Sequence, residues 1–216
     1  MRVLVFAPHN DDEVLGVGGT IAKYIDEGHE VYVCEVTSGK NAERVKRIQS
    51  EALRAHQILG VKETFFLGFP VVELNNCSTI ELNTAIEEVV KKVSPEIAFI
   101  PHKGDMHIDH TIVSRSAMVA LRPISNPQLI SIYAYETLSE TEWNLPSSDN
   151  AFIPNVWSDI TDTIDKKIEA MKCFESQLLE FPHPRSLKAI RSLSEFRGST
   201  IGVKNAESFM LIRNKL

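Results

Sequence analysis

A chain of 216 residues, 43% hydrophobic and 24% charged, has the balance of a soluble globular protein and fits one domain spanning residues 1–216. Its formal charge of −6 argues against a sequence-independent nucleic-acid binder, which needs a basic face to displace counterions. Nucleic acid is therefore not an expected partner.

The opening "MRVLVF" meets acidic residues by position 11, too soon for a signal peptide. No transmembrane segment is expected, because no apolar stretch reaches the length of a membrane span. Cys34, Cys77 and Cys173 are odd in number and lack metal-type spacing. They read as reduced thiols of a cytoplasmic protein.

The first predicted element is a strand at 2–6, "RVLVF", apolar and β-branched as suits a parallel strand buried on both faces. "EVLGVGGTIAKYIDEG" follows with helical periodicity through Val14, Val17, Ile21 and Ile25, closing at Gly28. A second strand at 30–36 leads into an amphipathic helix over 42–59 that stops at Gly60. Strand 63–68, a helix from "STIELNTAIEEVVKKVS", strand 95–101, a helix reaching about Leu121 and strand 129–135 continue the alternation. Residues 137–158 carry Pro146, Pro154 and two tryptophans and are expected to be irregular, a place for a substrate lid. Helices over 162–177 and 186–198 and a late strand, "ESFMLI", complete the chain.

Strict β-α alternation through residue 135 predicts an α/β fold: a doubly wound, mostly parallel, Rossmann-like sheet with helices on both faces. The expected strand order is 3-2-1-4-5 plus a C-terminal strand, with ligands in the crevice between strands one and four. "HNDDE" leaves the first of these strands and "HKGDMHIDH" the fourth. Two clusters distant in sequence should therefore face one another across one cleft.

Adjacent carboxylates repel unless a proton or a cation offsets them. His9 and Asp12 are three residues apart, as are His107 and His110, a spacing that points both side chains one way at a helix start. Imidazole and carboxylate suit Zn2+, and a catalytic zinc takes three protein ligands and keeps one position for water. Asp11, beside such an ion, is placed to take the proton of that water. The same donors also admit Fe2+, Co2+ or Mn2+.

A nucleotide site fits less well. The dinucleotide fingerprint would need glycine at position 21, where Ile21 stands, and carboxylates at the helix start would repel a pyrophosphate. Gly16, Gly18 and Gly19 are instead expected to allow close helix–sheet packing.

"PHNDDE" with "GVGGTIAKY", and "DMHIDH" after the fourth strand, resemble the PIG-L-like, LmbE-type zinc-dependent de-N-acetylases. The similarity extends to "EALRAHQILGV", "ESQ" and the C-terminal run from His183 to Phe209. The resemblance implies His9, Asp12 and His110 as zinc ligands and Asp11 as general base. It also implies His107 as the oxyanion-stabilising acid, oriented by Asp109. The substrate would be a small N-acetylated amino sugar or its conjugate, and homo-oligomers are a further expectation. Arg44, Arg47, Asp105, Gln177, His183 and Arg185 are the candidate substrate contacts.

Three positions depart from the family pattern. Asn10 and Ile108 replace prolines, and Ile48 stands where an arginine usually precedes the glutamate matched by Glu51. Two rival functions share these residues: a metal-dependent amidohydrolase or esterase on a non-sugar substrate, and a silent sugar- or nucleotide-binding module. The complete His9, Asp11, Asp12, His107 and His110 set counts against the silent module, which needs no base.

Overall fold

The computed structural model describes residues 1–216. The opening apolar run becomes Arg2–Ala7 (β1), buried along nearly its whole length. It pairs in parallel with Glu30–Ser38 (β2) on one side and Ile97–Pro101 (β4) on the other. Glu63–Pro70 (β3) extends the sheet beyond β2, and Ser131–Tyr135 (β5) extends it beyond β4, again in parallel. Ala206–Asn214 (β7) runs antiparallel beside β5, and Val156–Asp159 (β6) pairs antiparallel with the far side of β7. The sheet order is β3-β2-β1-β4-β5-β7-β6, the doubly wound arrangement with its C-terminal strand.

Six helices cover the two faces. Asp12–Asp26 (α1), Ala42–Leu59 (α2), Ile164–Lys172 (α5) and Leu187–Ser199 (α6) pack on one face, around Val5, Val33, Phe99 and Tyr135. Thr79–Val93 (α3) and Ile108–Ala120 (α4) pack on the other, around Phe6, Cys34 and Ile100. Each apolar stripe recurs at helical spacing, as Val14, Val17 and Ile21 do on α1. The side chains of Asn41, Ser78 and Ser186 accept backbone N–H groups that would otherwise be orphaned at helix starts. Gly60 ends α2 at φ 89°, a left-handed conformation that glycine adopts without a Cβ penalty.

Two segments differ from expectation. Residues 156–159 form β6 where an irregular stretch was predicted. Their pairing covers the open edge of β7, and four residues closely preceded by Pro154 carry too little periodicity to announce a strand. The helix expected through residue 177 ends at Lys172. There the chain turns to bury Phe174, and the N–H of Gln177 donates to the Phe174 carbonyl at 2.9 Å.

The glycines of α1 do permit close packing. A Cβ on Gly16 would lie 2.2 Å from the Tyr135 ring, and one on Gly19 would lie 2.6 Å from Ile160. Beside them runs a buried ion pair, Lys167 Nζ to Glu207 Oε1 at 2.6 Å. Glu207 also accepts the N–H groups of Gly19 and Thr20, tying β7 to α1 and α5. Removing the Glu207 carboxylate would strand a buried ammonium, whereas an added methyl at Gly16 would overpack. Chemical denaturation should show Gly16→Ala destabilised by about 1–3 kcal/mol and Glu207→Ala by about 3–5 kcal/mol. Parent-like stability of both variants would contradict this packing.

Candidate metal centre and active site

β1 and β4 lie side by side, and their crossovers leave in opposite directions, so a crevice opens at their carboxyl ends. The loop after β1 is held by Thr37, whose N–H and hydroxyl both donate to the Pro8 carbonyl at 3.0 and 2.7 Å. It then turns so that the His9 N–H donates to Asp12 Oδ2 at 2.9 Å. The loop after β4 delivers His110 on the first turn of α4.

The two loops bring His9, Asp12 and His110 together. His9 Nδ1 lies 3.2 Å and His110 Nε2 3.1 Å from Asp12 Oδ2, and the two ring nitrogens are 3.3 Å apart. Asp12 is buried, and its Oδ1 has no hydrogen-bond partner. The outer nitrogen of each ring meets its own carboxylate. His9 Nε2 faces Asp109 Oδ2 at 3.3 Å, and His110 Nδ1 faces Asp105 Oδ2 at 2.8 Å. Histidines that bind metals are oriented in this way, the far N–H given to a carboxylate and the near nitrogen aimed inward. Three converging donors, an orphaned carboxylate oxygen and two bracing carboxylates fit a divalent cation.

The charges gathered in this cluster shift the titration of its members. Burial opposes charge on His9, but hydrogen bonds to Asp109 and Asp12 outweigh it and raise the pKa to about 9. His110 rises to about 10 because the Asp12 charge and the bond to Asp105 likewise overcome burial. Asp12 itself is held well below the ordinary carboxylate range, as its two histidine neighbours overcome the cost of burial.

Asp11 occupies the N-cap of α1, yet its carboxylate caps no helix N–H. Its Oδ2 instead accepts from Arg185 Nη1 at 3.1 Å. Burial pushes the Asp11 pKa up to about 7, against the opposing pull of Arg185. His107 caps α4, with Nδ1 accepting the Asp109 N–H at 3.1 Å. That bond leaves Nε2 as the ring's proton carrier. Burial and the neighbouring His9 charge lower its pKa to about 4, so the ring is neutral near pH 7.

The bracing carboxylates differ from the sequence expectation. Asp109 was to orient His107; it meets that ring through its backbone N–H, whereas its carboxylate Oδ2 is 3.8 Å from His107 Nδ1, beyond hydrogen-bond range. That carboxylate holds His9 and accepts the Val72 N–H at 2.7 Å instead. Asp105, expected at the substrate, is buried behind His110 and also accepts from Thr141 Oγ1 at 2.6 Å.

A cleft of about 430 Å³ opens over the cluster, and Arg44, Gln177 and Arg185 line it with His107. Arg185 also donates to Ser139 Oγ and faces Glu140 at 3.5 Å. Arg47 turns away to pair with Glu51 at 3.0 Å, leaving Ile48 on the cleft wall. His183 is not on that wall; its Nδ1 accepts the Arg185 N–H, and its ring meets Trp143 edge-on at 5.6 Å. Sequence reasoning missed Glu140 and Val72. Glu140 sits in a segment without periodicity, and Val72 takes φ 66°, a conformation unusual for a β-branched residue and unmarked by any glycine.

A doubly wound α/β sheet with a histidine–carboxylate cluster at its switch point thus defines the class. A family model described as PIG-L, GlcNAc-PI de-N-acetylase, matches residues 4–121, and the chain belongs to that family. The chain is 26% identical to a diacetylchitobiose deacetylase of Thermococcus kodakarensis, an alignment covering 98% of this chain and 83% of the relative. It is 29% identical to a probable N-acetyl-alpha-D-glucosaminyl L-malate deacetylase 2 of Bacillus cereus, over 85% of this chain and 88% of that one. The solved N,N'-diacetylchitobiose deacetylase of Pyrococcus horikoshii, in complex with its inhibitor MPG, superposes with TM-score 0.77 at 25% identity. That superposition covers 98% of this chain and 83% of the other.

Two measurements probe the centre. At pH 7, below both histidine pKa values, metal uptake should release about two protons per ion bound at His9 and His110. Calorimetry in buffers of different ionisation enthalpy reads that number, and zero would contradict the site. Asp105→Asn and Asp109→Asn should each weaken metal affinity about 10–100-fold, read by competition with a chromophoric chelator.

Proposed function

We propose that the protein is a metal-dependent deacetylase that hydrolyses the acetamide of an N-acetylglucosamine-type sugar or sugar conjugate, releasing acetate and a free amine. The observation that carries this reading is the convergence of His9, Asp12 and His110 beside Asp11 at the floor of the cleft. When bound by those three residues, a divalent ion supplies Lewis acidity at the acetyl carbonyl, and the mixed nitrogen and oxygen donors suit Zn2+.

The chain's own groups do the rest. Asp11, with a pKa near neutrality, takes the proton of the attacking water. Arg185 keeps the Asp11 carboxylate aimed at the cleft through its 3.1 Å contact. His107 presents its Nε2 proton to the oxygen that gains charge as the carbonyl carbon becomes tetrahedral. The C–N bond then breaks, and the proton held by Asp11 passes to the departing amine. Asp105 and Asp109 act as positioning residues behind the two histidines. Apart from Ile48, Val71 and Val72 and a glycine, the cleft is lined by polar side chains. That lining supports a hydroxyl-rich substrate over an apolar amide, with Arg44, Gln177 and Arg185 as its nearest contacts.

Asp11→Asn should retain the ion while turnover falls about 10²–10⁴-fold, the usual worth of a positioned base. His110→Ala should lose the ion of this site. A panel of N-acetylated amino sugars and conjugates, assayed for acetate with and without chelator, tests the reaction. Chelator-sensitive release supports it, whereas metal-loaded protein that frees no acetate from any member overturns it.

A further inference from the structure

On the α2 side of the first helix lies a second set of ligand atoms that the proposed reaction does not use. Glu13 follows Asp12 directly on α1 but turns toward His56 of α2, with its Oε1 2.9 Å from His56 Nε2. Glu35, from β2, brings its Oε1 to 3.6 Å from the same nitrogen. The ligand atoms of the three residues all lie within 4.8 Å of one another.

Glu13 and Glu35 are fully buried, and the His56 side chain is 3% exposed. Two carboxylates in such a place need a counter-charge. His56 is the only basic group within 4 Å of either. Even so, Glu13 Oε2 and both oxygens of Glu35 meet no hydrogen-bond donor while both carboxyl groups are ionised. Burial, the charges of Glu13, Asp12 and Asp11, and a carboxyl–carboxyl hydrogen bond with Glu13 drive the Glu35 carboxyl well above its ordinary pKa.

The imidazole is arranged as a ligand would be. Its Nδ1 is 2.7 Å from Thr64 Oγ1 on β3, which holds the ring and aims Nε2 at the carboxylates. We propose that Glu13, Glu35 and His56 form a second, wholly buried site for a divalent metal ion, acquired as the chain folds and joining α1, α2 and β2. Two carboxylates with one imidazole suit a first-row ion such as Zn2+ or Mn2+. An ion held only by the folded chain stabilises it. The competing occupant is a single proton shared between the two carboxyl groups.

Metal content per chain separates the two. Parent, Glu35→Gln, His56→Gln and His110→Ala would be expressed in medium supplemented with Zn2+ and Mn2+, freed of loose ions by gel filtration and analysed by mass spectrometry. Glu35→Gln and His56→Gln should each hold one equivalent less than the parent, and His110→Ala should keep one equivalent. Parent-like metal content in Glu35→Gln and His56→Gln overturns the second site and leaves the shared proton. If neither of those variants folds, His110→Ala decides alone: one retained equivalent supports the site and none overturns it. Failure of the deacetylase reading is seen separately, in acetate release.

Discussion

Crowding of buried carboxylates at the end of β1 is the constraint around which the molecule is arranged. Asp11, Asp12 and Glu13 follow one another, are almost wholly buried, and cannot all be ionised there without counter-charge. Each finds a different answer. Arg185 comes from the C-terminal half to Asp11, two histidines meet Asp12, and His56 of α2 meets Glu13. Elements from the whole length of the chain thereby meet at one point, where those contacts tie α2, α4 and the loop before α6 to the end of β1.

The same constraint shapes the chemistry. The two histidines are held as a matched pair because Asp105 and Asp109 sit behind them. Asp109 accepts the Val72 N–H as well, so one carboxylate fixes both a histidine of the centre and the turn that forms the cleft rim. Asp105 also accepts from Thr141, joining the other histidine to the segment that closes the opposite side. Cleft walls and metal centre are therefore not independent parts. A shift in either rim is transmitted to an imidazole through a single carboxylate.

Legibility in the sequence followed the strength of local periodicity. Buried parallel strands such as "RVLVF" and "PEIAFIP" announce themselves by unbroken apolar character, and the helices between them by their apolar stripes. β6 was hidden because its existence depends on the edge of β7, about fifty residues further on. The end of α5 was hidden because burial of Phe174 overrides a pattern that would continue the helix. At the site, His9, Asp11, Asp12, His107 and His110 were visible as two motifs. The partners of Asp109 and Asp105 were not, since spacing cannot say which ring nitrogen a carboxylate will meet.

By itself the sequence determined the alternation of strands and helices, hence the sheet order through β5, and the two polar motifs at the ends of adjacent strands. Those properties are local, written in periods of a few residues and in the rule that ligands gather where the crossovers diverge. Only the tertiary structure decided that Arg185 rests on Asp11, that Asp109 serves His9, and that Glu35 and His56 close around Glu13. Such pairings join residues from separate elements, and their geometry exists only once the sheet has twisted and the helices have packed upon it.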